Sequence, residues 1–226
     1  NVNGLKIVGG TSVGTDDQHG GGVRTHNFCT VTMNNVVISN NRTQGQGGGV
    51  KVQNGNLTIT NSVIADNLGE SSAGGVSGGS STITLVNTTV SGNVGNGIQI
   101  SGGTLNVQSS MVINNIFGGD GGGIANGGGT VNVIGSTVSG NRAEQGGGGI
   151  STINGTMNVT GSNVINNTSI YGGGGGIRTN GRLNVTDSNI SNNIDNSPGF
   201  GGGGIFSGAQ LVTLNITRTT ISGNST

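Results

Sequence analysis

Apolar and polar positions recur along this chain with a fixed frame. Taking Leu57 as position zero, the frame places an apolar residue at positions zero, two and seven and an asparagine at position ten. It fits eight successive stretches, anchored at Val31, Leu57, Ile83, Leu105, Val131, Met157, Leu183 and Leu214, with spacings of 26, 26, 22, 26, 26, 26 and 31 residues. Position two holds Met33, Ile59, Leu85, Val107, Val133, Val159, Val185 and Ile216; position seven holds Ile38, Ile64, Val90, Val112, Val138, Val164, Ile190 and Ile221. A period of this size marks a solenoid. The spacing of two predicts strands and argues against helices. Each unit then supplies about three short strands with corners, and a lone unit has no partner for its backbone. Stacking units about 4.8 Å apart as parallel strands supplies one and turns every inward position into a column.

Polar columns sharpen this picture. Position ten is Asn41, Asn67, Asn93, Asn115, Asn141, Asn167, Asn193 and Asn224, and position five is Ser or Thr from Ser62 onward, with Val36 the exception. A buried amide or hydroxyl is costly unless bonded, whereas like residues stacked on one another bond along the axis, so both columns are expected to be internal ladders. Paired glycines such as Gly48-Gly49, Gly74-Gly75 and Gly148-Gly149 precede an inward Val or Ile in most units. Tight corners and close backbone approach explain them. A phosphate-binding loop does not, because no helix follows.

These Gly-Gly-x-Ile/Val boxes, with Ile64-Ala65-Asp66-Asn67 and Val138-Ser139-Gly140-Asn141, resemble the repeats of right-handed parallel β-helix proteins. Within that superfamily they are similar to bacterial surface proteins of the chlamydial polymorphic outer-membrane type, with Val or Ile in place of Phe. The resemblance implies an all-β, right-handed parallel β-helix and an extracellular or cell-surface location. About nine coils are expected, as one domain over 1–226 with an irregular first coil at 1–30, regular coils over 31–208, an incomplete last coil at 209–226 and no capping helix.

Composition limits the chemistry. Of 226 residues 51 are glycine, eight are basic and eight acidic, giving no net charge. Zero charge and strict register set the chain apart from disordered sequences, and scattered charges argue against nucleic acid. No apolar run is long enough to insert in a membrane. Cys29 has no partner for an internal disulfide, and is expected to be a small apolar or free thiol residue. In the first coil Leu5 and Ile7 take positions zero and two. It also carries the densest polar group, Asp16, Asp17, Gln18 and His19 near Arg24 and His26, for which a solvated loop is preferred to a metal or acid/base site. Length varies between the asparagine and the glycine box, which predicts that these loops, with Phe117, Tyr171, Phe200, Glu70, Asp120, Glu144 and Asp195, lie on one side. Gly118-Gly119-Asp120-Gly121 lacks the nine-residue repetition of a calcium-binding roll. The outward Thr/Asn face at positions one and three resembles that of ice-binding β-solenoids, but its columns are mixed, so an ice-binding protein ranks low among the alternatives.

Neither end carries a helix, a polar cap or proline to shield backbone edges. Two origins are therefore expected: a piece of a longer surface protein, its leader absent, or a subunit whose coils continue into another copy. In the second, Leu5 and Ile7 would stack on Leu214, Ile216, Ile221 and Asn224 of the next copy as a head-to-tail filament. The expected function is thus a non-catalytic extracellular fibre or surface stalk, with no cofactor and with itself as partner. A surface adhesin binding glycans through the loop side is the alternative. A polysaccharide lyase or hydrolase ranks lower, because Asp66, Asp187, Arg178 and Arg182 form no set of clustered carboxylates.

Overall fold

The computed structural model describes residues 1–13, 19–26, 28–199, 201–208 and 212–226. Its described residues contain strands, turns and bends but no helix. Four parallel ladders, not three, run along the solenoid. The first stacks the five-residue strands Thr30–Asn34, Asn56–Thr60, Thr130–Ile134, Thr156–Thr160, Arg182–Thr186 and Thr213–Thr217, with 82–86 and 104–108 between. The second is a ladder of nine three-residue strands, from Lys6–Val8 to Thr220–Ser222. The third, only one or two residues deep, includes Arg42–Thr43, Ile116–Phe117 and Ile194–Asp195. The fourth, which begins at the glycine box, includes Val50–Val52, Ile124–Asn126 and Ile177–Thr179. The third ladder escaped the sequence because a two-residue strand leaves no periodicity.

About seven turns are complete, with a period near 26 residues. The expected nine counts the irregular first stretch and the incomplete last one as whole coils. Strand pairing also corrects the frame of the first stretch: Val2 pairs with Met33 and Ile7 with Ile38. Ile7 therefore occupies position seven and Leu5 position five, a shift from the expected two and zero. Gly4 and Gly9 agree with it, both left-handed with φ of 64° and 73°.

Those two glycines mark a rule that holds through the stack. Each turn bends at positions four and nine through a residue of positive φ: Asn35, Asn61, Asn87, Ser109, Gly135, Gly161, Asp187 and Arg218 at the former, and Asn40, Asp66, Gly92, Asn114, Gly140, Asn166, Asn192 and Gly223 at the latter. Asn, Asp and Gly enter this region at least cost. The next residue at these bends, position five or ten, then points inward with a polar side chain, Val36 excepted. Apolar columns fill the space between. Leu57, Ile59, Ile64, Ile83, Leu85, Val90, Leu105, Val107, Val112, Met157 and Leu183 are all at most 1% exposed, a core one side chain deep.

Candidate functional site

At each interior rung of the asparagine ladder the side chain meets three needs at once. Asn141 accepts at Oδ1 from the backbone N–H and the Nδ2 of Asn115, both at 3.0 Å, and donates from Nδ2 to the Val112 carbonyl at 2.9 Å and to Asn167 Oδ1 at 3.0 Å. The same pattern runs from Asn41 to Asn224. Rungs Asn41, Asn67, Asn93, Asn115, Asn141, Asn167 and Asn193 are at most 1% exposed. The hydroxyl column works alike: Ser110 N–H donates to Ser136 Oγ, which donates to the Ile134 carbonyl. These columns are structural, since every hydrogen-bonding group they own is committed to the corner it holds.

Outside the core lies a second asparagine column. Asn132 donates to Asn106, Asn158 to Asn132, Asn184 to Asn158 and Asn215 to Asn184, at 2.7–2.8 Å. On the Thr/Asn face, then, these amides are tied to one another along the axis.

The outermost turns hold the residues named as an interface. Leu214, Ile216 and Ile221 are 42%, 41% and 47% exposed, whereas their counterparts one turn inward, Leu183, Val185 and Ile190, are 0%. With Asn224 and Ile205 they line an open hollow of about 510 Å³. At the opposite end Ile7 is half-buried and Leu5 is 49% exposed. The two groups lie at opposite ends of the stack, in different turns of one chain.

Ionisable groups are dispersed. Arg178 Nη1 reaches back two turns to Asp120 Oδ1 at 2.6 Å, an ion pair joining residues 58 apart in sequence and one that spacing could not reveal. Arg218 binds Asp187 across an exposed corner, and that contact holds the Asp187 carboxyl below its ordinary value. Arg42 pairs with Glu70 on the loop side. Lys51 lies beneath loop 42–47 and donates to Gln46 Oε1 and Ser77 Oγ; burial, and next the neighbouring Arg24, lower its pKa. Asp195 departs from the expected loop surface: it is 1% exposed and accepts from the backbone N–H and Oγ of Ser197. Its place in the third ladder turns it inward. Phe117, Glu70, Asp120, Glu144 and Tyr171 do lie on the loop side, with Tyr171 64% exposed.

Of the polar group in the first stretch, Asp16, Asp17 and Gln18 lie outside the described residues, as do Phe200 and Ala209. His19 Nδ1 accepts the Gln46 N–H. Cys29 is an exposed free thiol, and the neighbouring Phe28 takes φ 61° and is itself 84% exposed. Among the described residues no three His, Cys, Asp or Glu side chains gather as a metal would require. The chain matches no family model, no curated protein and no solved structure.

Proposed function

We propose that the chain is a non-catalytic structural protein, a β-solenoid rod that continues head to tail through further copies into an extracellular filament or surface stalk. One observation carries the reading. The columns that are sealed in every inner turn remain open at Leu214, Ile216 and Ile221, in the register that a further coil of the same frame would match. Covering them removes three large apolar side chains from water, each contributing up to about 1.5–3 kcal/mol when fully buried, and pairs backbone edges along the same axis. The corrected frame changes the partners. Val2 of the incoming copy would lie on Ile216 and Ile7 on Ile221, while Leu5 would meet Thr219 instead of Leu214. The incoming copy has Gly10 at position ten, so the asparagine ladder would skip one side chain at each junction. Such a contact is heterologous and does not close, which gives a filament. The likeness of the repeat boxes to those of bacterial surface proteins supports an extracellular place.

Light scattering and negative-stain microscopy of the full chain test this. Unbranched filaments are expected, and Ile221→Asp should leave dispersed single rods by placing a charge in the junction. A single rod for the parent chain at high concentration would overturn the reading.

A further inference from the structure

The middle residues of the fourth ladder form an outward column: Arg24, Lys51, Ser77, Gln99, Ala125, Ser151, Arg178 and Phe206. Loops cover it at Lys51, Ser77 and Ser151, which are at most 7% exposed. The 22-residue turn lacks four residues of that loop, between Asn93 and Gly97. Its neighbour in the column is Ala125, the smallest side chain there. Together the deletion and the alanine open a cleft of about 320 Å³, walled by the loops on either side.

We propose that this cleft binds a neutral saccharide unit. Its volume lies at the lower end of small-ligand sites, the size of a single sugar ring. Gln99 is oriented by Ser72, whose Oγ donates to Oε1 at 2.8 Å, and its amide NH₂ is left for a ligand. Ser151 is 2% exposed and closes the floor of the cleft, its Oγ enclosed and without a hydrogen-bond partner among the described residues. Phe117 and Ile153 supply apolar surface. The Phe117 ring is packed so closely on Gly119 that a Cβ there would come within 2.5 Å of it, so the ring is held in place.

Charge selects among ligands. Asp120 lines the cleft, but Arg178 neutralises it, passing so near Gly146 that a Cβ at that position would lie 2.8 Å from its Cδ. No uncompensated cation is therefore offered to a phosphate, sulfate or carboxylate. A hydrocarbon would leave the Gln99 amide unsatisfied. An extended peptide would need a free sheet edge, whereas the fourth ladder is paired along its axis at this point. Sugar rings combine hydroxyls with an apolar face and suit both halves of the lining.

The site stands apart from filament formation, since it lies on the side of the rod and not at its ends. Ligand-observed saturation-transfer NMR on the full chain, with neutral methyl glycosides and N-acetylglucosamine beside glucuronate and sialic acid, tests it. At least one neutral sugar should bind with roughly millimolar affinity, the strength expected for about a dozen heavy atoms in a shallow site, and neither acid should. Ala125→Arg fills the cleft with a residue the column already carries at 24 and 178, and should weaken binding at least about tenfold; Phe117→Ala should weaken it by up to about tenfold. Circular dichroism identical to the parent would show that both variants keep the fold. Absence of binding by every neutral sugar, preference for an acid, or unchanged binding in folded Ala125→Arg would each overturn the proposal.

Discussion

Replacing Asn141 by alanine tests the internal asparagine ladder at its centre. The change deletes the acceptor of the Asn115 backbone N–H, which lies in a corner closed to water, and that donor is left unpaired. It also removes the bond from Asn115 Nδ2, which keeps the Val90 and Ile113 carbonyls, and one donor each from the Val112 carbonyl and from Asn167 Oδ1, which still receives the Asn141 N–H. One orphaned buried donor costs about 1–3 kcal/mol and each of the three other lost bonds about 0.5–1.5, so the expected loss is about 2.5–7.5 kcal/mol. Asn224→Ala removes two bonds from Asn193 and one to the Ile190 carbonyl, but at a half-buried rung that water can reach, and should cost about 1–2 kcal/mol. Guanidinium unfolding followed by far-ultraviolet circular dichroism measures both. Because a solenoid couples only neighbouring turns, the central variant should also lose cooperativity, and amide exchange at Asn115 should rise before it does elsewhere. A loss below about 1 kcal/mol for Asn141→Ala, or equal losses at the two positions, would refute the ladder as a main source of stability.

Two glycines that look alike in sequence should behave oppositely. A Cβ on Gly148 would lie 2.3 Å from the Thr168 carbonyl oxygen, so Gly148→Ala should cost at least about 3 kcal/mol or prevent folding. Gly135 has φ 55° and open space around its Cβ, and Gly135→Asn, the residue found at the equivalent Asn61 and Asn87, should change stability by less than about 0.5 kcal/mol by the same unfolding measurement. Lys51 provides a pH dependence. Its folded pKa lies below that of the unfolded chain, so the unfolded state binds more protons between the two values. Stability should rise with pH through that window toward the ordinary lysine value of about 10.4, and a pH series of melts should lose this rise in Lys51→Met. Arg178→Met should break the link to Asp120, a partly buried pair two turns apart, and lower stability by about 1 kcal/mol in the same melts.

The repeating frame alone carried the parallel stack, the apolar columns and both internal polar ladders. Identical residues at equal spacing have one economical arrangement, each directly above the last. What the frame could not contain was anything made between unlike positions. The third ladder is too short to leave a period, and the left-handed bends fall on a mixed set of Asn, Asp, Gly, Ser and Arg whose common feature is a backbone angle, not a side chain. The irregular first stretch was read five positions out of true because Leu5 and Ile7 imitate the start of a strand, while hydrogen-bonded pairing with Val37–Ser39 admits only one register.

Sequence by itself therefore determined the cross-section of this protein, because burial and hydrogen bonding repeat with every turn. Tertiary structure alone decided what happens where turns differ: the ion pair of Arg178 with Asp120, the burial of Asp195, and the gap opened by a shortened loop beside Ala125. Those features depend on which side chains reach across coils, and that distance is set by the stacking of the backbone and not by separation along the chain.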